Sequence, residues 1–125
     1  MEIIKLKGYD HLYAVDSFFS EYQALFGKSA AEHRKYLIKL RKNLGILDRE
    51  MKSASTGYQQ FEKLEGVELW SIRHVSKFNP RVIYAFFMDD EKIILISSFK
   101  EHNKSDYERG IQLAKARIKQ LEVTL

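Results

Sequence analysis

The sequence predicts a single α+β domain over residues 1–125, in the order β-α-α-β-β-β-α, with helices packed against an antiparallel sheet. Three observations carry this. Residues 61–121 hold three β-type runs followed by a capped amphipathic helix. Before them, two stretches place apolar residues at helical spacing. A length of 125 residues, with 45% hydrophobic and 13% aromatic content and one proline, suits one core and is too short for two.

The elements follow in order. Ile3, Ile4 and Leu6 make a short strand within residues 1–7, ended by Gly8. From Leu12, apolar Val15, Phe18, Phe19, Tyr22, Leu25 and Phe26 keep helical spacing until Gly27, which predicts one helix. Ser29-Ala-Ala-Glu32 reads as a capping box, in which the serine oxygen and the glutamate satisfy free amides at a helix start. Leu37, Leu40, Leu44, Leu47 and Met51 then form one apolar face, weakened somewhat by Gly45. Residues 52–60 have loop composition. Residues 67–75, 81–88 and 92–99 are rich in β-branched and aromatic side chains, and the short turns 76–80 and 89–91 predict an antiparallel meander. Ser105-Asp-Tyr-Glu108 reads as a second capping box, opening a helix whose stripe is Tyr107, Ile111, Ala114, Ile118 and Leu121.

Charge narrows the partners. The formal net charge is +4, from 21 Lys and Arg against 17 Asp and Glu, an excess that permits a polyanion without demanding one. Its distribution is more informative. No acid occurs from Ser71 to Met88, where Arg73, Lys77 and Arg81 fall, and eight basic residues from Lys28 to Lys52 meet only Glu32, Asp48 and Glu50. The absence of cysteine excludes disulfides, a thiol nucleophile and Cys-ligated zinc. No apolar run is long enough to cross a membrane and the first residues do not read as a signal peptide, so a cytoplasmic protein without a membrane partner is expected. No glycine loop for nucleotides, Ser-His-Asp order or zinc signature is present, so no cofactor and no metal are expected. Asp89-Asp-Glu91 reads as a hairpin turn rather than a carboxylate site, and His11, His33 and His74 lack ligand spacing.

Several strings occur in a telling order: Phe61-x-Lys63-Leu64, Leu69-Trp70-x-Ile72-Arg73, Arg81-Val-Ile-Tyr84, the apolar run from Ile93 to Ile96, and Ala114-x-x-Arg117. Together they resemble the RelE/ParE superfamily of type II toxins, with the phage-type HigB branch nearest, over the C-terminal half and the helix pair before it. The resemblance implies a toxin of a toxin-antitoxin system: a ribosome-dependent, metal-independent endoribonuclease that cleaves mRNA. Its implied partners are mRNA, ribosomal RNA and a cognate antitoxin with a helix-turn-helix DNA-binding domain. On the same fold, a ParE-like inhibitor of DNA gyrase and a non-enzymatic phage or host interaction module are the alternatives.

Cleavage by the ribose 2′-hydroxyl needs a group to take its proton, cations for the charge growing on phosphorus, and an acid for the leaving oxygen. Arg73 and Arg81 are permanent, fork-shaped cations suited to phosphate. By resemblance, Arg73 inherits the leading phosphate contact and Arg81 a position that is structural as much as catalytic. The segment after the last strand resembles a basic cluster followed by a tyrosine, which makes Lys100, His102, Lys104 and Tyr107 candidates for phosphate contact, proton transfer or base stacking. Lys77 joins Arg81 and Lys104 as an expected phosphate ligand. The chain departs from the HigB pattern at Ser97-Ser98-Phe99-Lys100-Glu101-His102, where a histidine-glycine pair and consecutive lysines are usual. Candidates for the general base are therefore His102, Tyr107 and Glu101, of which histidine titrates nearest neutrality. Trp70, mid-strand among apolar neighbours, is read as core, and the basic run 28–52 as a wet helix face open to RNA.

Overall fold

Period-two patterning and β-branched composition in the C-terminal half produce a sheet, and the two capped periodic stretches produce the long helices. The computed structural model describes residues 1–124. The chain runs β1 (Ile3–Lys5), β2 (Leu12–Val15), α1 (Phe18–Ala24), α2 (Ala30–Glu50), a 3₁₀ turn (Met51–Ser53), a short helical turn α3 (Ala54–Gly57), β3 (Phe61–Lys63), β4 (Trp70–Arg73), β5 (Pro80–Phe87), β6 (Lys92–Lys100) and α4 (Lys104–Thr124). The class is α+β as expected. The sheet is not antiparallel throughout: six strands lie in the order β1-β2-β6-β5-β4-β3, with β2 parallel to β6. The predicted meander is present as β4-β5-β6.

Three sequence readings need correction. The helix expected from Leu12 to Gly27 is a strand followed by a seven-residue helix. Intervals of three put Leu12, Val15 and Phe18 on one helical side, but Leu12, Ala14 and Val15 are buried on both faces of a strand, and the free edge of β6 decides, since Ile93 N–H donates to His11 O at 2.8 Å and starts the parallel ladder. The first β-type run is a hairpin, β3 with β4, turned at Gly66 with φ +78°. Residues 52–60 contain helical turns after Met51, whose φ of 54° ends α2.

The caps divide the same way. Ser29 Oγ accepts from Glu32 N–H at 3.2 Å, the serine half of the predicted box, while Ser29 N–H donates to Phe26 O at 3.1 Å rather than to the glutamate. The last helix starts two residues earlier than expected: Asn103 Oδ1, rather than Ser105, accepts from Asp106 N–H at 2.9 Å, and the Asp106 carboxylate accepts from His102 N–H at 3.0 Å. The His102 amide, and after it the Arg109 guanidinium, hold the Asp106 carboxyl below the ordinary carboxylate range.

Cross-strand register separates two faces. Ile72 pairs with Val82, and both lie with Pro80 beside Tyr22, Tyr36 and Leu40 around a void of about 10 Å³, so α2 covers that face. Arg73 pairs with Arg81, and Arg81 with Phe99, on the opposite face. There α4 comes so close that a Cβ on Gly110 would stand 2.3 Å from the Phe99 ring. Arg117 of α4 is buried, donating to Ile96 O at 2.8 Å and to both Glu21 carboxylate oxygens at 2.8 and 2.5 Å, which ties α4 to β6 and α1. Trp70 is core as expected, packed edge-on against Phe86 at 4.8 Å. No helix among the described residues is long and apolar enough to cross a membrane.

Candidate functional site

Antiparallel pairing sets Arg73 and Arg81 side by side, and two adjacent cations on one face need an anion. Glu101, in the residue after β6, supplies it. Its Oε2 lies 2.9 Å from Arg81 Nε and its Oε1 3.3 Å from Arg81 Nη2 and 3.7 Å from Arg73 Nη2. The Nε–Oε2 approach lacks hydrogen-bond alignment, so charge rather than a directed bond carries that contact. Glu62 of β3 reaches Arg81 at 3.9 Å, and the Tyr107 ring lies 5.2 Å from the Arg81 guanidinium carbon, a cation–π contact. The Arg81 side chain is only 5% exposed whereas that of Arg73 is 44% exposed. One arginine is locked and the other is free to meet a ligand.

Asn79 places the glutamate. It adopts φ 42°, accepts the N–H of Ser76 at 2.9 Å and donates to Glu101 O at 3.2 Å, while Glu101 N–H donates to Asn79 O at 3.0 Å. Asparagine tolerates this left-handed backbone better than most residues. Tyr36 of α2 donates to Ser76 Oγ at 2.7 Å, so the β4–β5 loop is tied to the helix beneath it.

Arg73 also lines an open groove of about 570 Å³ between α2 and the β3–β4 end of the sheet. Lys39, Lys42 and His74 stand in it, along with Asn43, which accepts from Gln60 Nε2 at 3.0 Å. His74 Nε2 is 3.0 Å from Lys39 Nζ and its ring stands edge-on to Tyr36. Burial, then Lys39 and Lys35, hold the His74 pKa below its usual value. A neutral ring accepting from the Lys39 ammonium fits this geometry. The groove is thus cationic, open and provided with amide groups, features suited to a sugar-phosphate chain.

The remaining candidates sit elsewhere. Lys77 and Lys100 place their ammonium groups 5.9 and 5.6 Å from the Phe78 ring. Lys100 and the exposed His102 line a second groove of about 370 Å³ with Ser98 and Arg109, and Arg73 is not part of it. Lys104 is exposed and 3.9 Å from Glu108. Arg73, Arg81 and Tyr107 are therefore brought together, while His102 stands apart from Arg73. Sequence reasoning held Lys39 and Lys42 only as part of the basic run 28–52 and missed Glu62. Lys39, Lys42, Asn43 and Ile46 do share one side of a helix by their spacing, but that spacing names no strand to face them. Among the described residues no group of three or more His, Asp or Glu is disposed to hold a metal ion.

No protein-family model matches the chain, and no curated protein or solved structure matches it either.

Proposed function

We propose that the chain is the toxin of a toxin-antitoxin pair, a ribosome-dependent endoribonuclease of the RelE/ParE kind with the phage-type HigB branch nearest. The observation that carries this reading is the place of Arg73, half exposed at the border between the cationic groove and the Arg81–Glu101–Tyr107 cluster. The groove takes the message backbone, and Arg73 holds the phosphate to be cut. In the reaction the 2′-oxygen loses its proton to a base and attacks phosphorus, and the 5′-oxygen leaves with a proton from an acid, giving a 2′,3′-cyclic phosphate. Of the three candidate bases, Glu101 is the one in contact with Arg73. Lys39, Lys42, Lys77 and Lys100 hold message or ribosomal RNA, and a cognate antitoxin neutralises the protein.

The test is cleavage of a defined message in a translating extract with wild type and Arg73→Ala side by side. The reading requires cuts that appear only while ribosomes translate and that fall at least about tenfold with Arg73→Ala, the loss of one charged phosphate contact. Cutting of free RNA at the same rate, or no cutting at all, refutes it.

One observation favours a second reading, a non-enzymatic binding module. Arg81 and Glu101 neutralise each other and His102 lies in another groove, so among the described residues Glu101 alone of the three candidate bases pairs with Arg73. RNA binding without cleavage or growth arrest is its signature. Inhibition of supercoiling by the purified protein identifies the gyrase-directed alternative.

A further inference from the structure

Helix α2 has two working sides. Lys39, Lys42, Asn43 and Ile46 line the cationic groove, whereas Leu37, Arg41 and Leu44 wall a separate trough of about 460 Å³, completed by α1 and the β1–β2 turn. The trough floor is apolar: Leu6, Tyr9, Phe19, Leu37 and Leu44. Phe19 is 38% exposed there, and Leu6, Tyr9 and Leu37 are also partly open to solvent. The rim is basic. Lys7, Arg41 and His33 line it, no acidic side chain does, and neither Lys7 nor Arg41 makes an ion pair among the described residues.

The trough is built before any ligand arrives. Gly8 turns the chain with φ +93°, Leu6 N–H donates to Leu12 O at 2.9 Å, and Tyr9 Oη donates to Arg41 O at 3.3 Å, fastening the turn to α2. A preformed apolar channel between two helices with unpaired cations at its edge has the form of a helix-in-groove receptor. The geometry points to a docking site for an acidic amphipathic helix of a partner protein, its apolar face on Phe19 and Leu37 and its carboxylates on Lys7 and Arg41. A second copy of the chain does not fit this chemistry, because both of its long helices, α2 and α4, carry more basic than acidic side chains and would meet the basic rim with like charge. Bare nucleic acid leaves the apolar floor unmatched. The site lies on the other side of α2 from the cationic groove, so the inference stands whether or not the chain cuts RNA.

The probe is a labelled amphipathic peptide of about 18 residues, roughly five helical turns, with leucine on one face and glutamate on the other. Its counterpart carries lysine for glutamate. Fluorescence anisotropy with the full chain is expected to show saturable binding of the acidic peptide, at least about tenfold tighter than the basic one. Phe19→Ser and, separately, the double substitution Lys7→Glu with Arg41→Glu are each expected to weaken it about tenfold or more, with far-UV circular dichroism and melting confirming that both variants fold. The charge variant touches only exposed side chains, so it remains informative if Phe19→Ser unfolds. Equal affinity for both peptides, binding unchanged in the charge variant, or full displacement by a single-stranded oligouridylate would overturn the inference. Saturation by dodecanoate with no peptide binding would overturn it too, reassigning the trough to a lipid.

Discussion

Removing Glu101 leaves a permanent cation in a nearly closed place. The Arg81 side chain, 5% exposed, would retain only Glu62 at 3.9 Å, itself half exposed, and the face of Tyr107. Orphaning one member of a buried pair costs about 3–5 kcal/mol. Because Glu101 is 19% exposed and Glu62 remains, Glu101→Leu belongs at the low end, about 3 kcal/mol, or about 12 °C in Tm for a chain of this size. Arg81→Met should cost less, about 1–2 kcal/mol, because Arg73 already stands 3.7 Å from the carboxylate that would be stranded. The double variant replaces both charges by apolar groups and should fall within about 1 kcal/mol of wild type. The cycle then yields a coupling of about 3–5 kcal/mol. Urea unfolding followed by the fluorescence of buried Trp70, the sole tryptophan, measures all four proteins. A coupling under about 0.5 kcal/mol, within the additivity of independent sites, would refute the claim that Glu101 exists to neutralise Arg81.

Gly110→Ala should destabilise by about 1 kcal/mol or more, since overpacking against the Phe99 ring outweighs the gain in helix propensity, and Phe99→Leu should reverse the loss; thermal melts of the pair decide it. Asp89, held at φ +56° in the β5–β6 turn, should be better as glycine by a few tenths of a kcal/mol, and an Asp89→Gly variant with a lower Tm contradicts the turn geometry. His74 has a folded pKa below its ordinary 6.5, so the unfolded chain binds its proton first; stability is whole above that value and declines as pH falls through and below it. His74→Gln should flatten that decline in urea midpoints measured across mildly acidic pH, and Lys39→Met should raise the His74 pKa seen by NMR; an unmoved pKa would discount the Lys39 contact. Arg73→Ala should leave the unfolding free energy within about 0.5 kcal/mol of wild type, as for an exposed ion pair, while weakening RNA binding and its salt dependence in a filter assay.

The long helices and the meander were legible because their signals are local. Leu40, Leu44 and Leu47 recur at helical spacing, and the β-branched runs 81–88 and 92–99 have only short turns between them. Arg73 and Arg81 could be picked out because arginines flanking a short turn on consecutive strands come side by side in an antiparallel pair, whereas Tyr107 was singled out by the resemblance alone. His102 and Lys104 looked equally near in sequence but turn away, because Asn103 caps the helix and redirects the chain there. Glu101 was readable only as one base among three.

The division has a physical basis. Periodicity and capping are relations among residues within a few positions of one another, so the helical apolar stripes and the β-rich runs are written directly in the chain. The fate of residues 12–15 depended on an unpaired β6 edge some 80 positions away, the estimate that follows from the Leu12–Ile93 register. Likewise the pairing of Glu101 with both arginines, the meeting of Lys39 with His74 and the trough beside Phe19 arise from register and packing between distant elements, which no local pattern encodes.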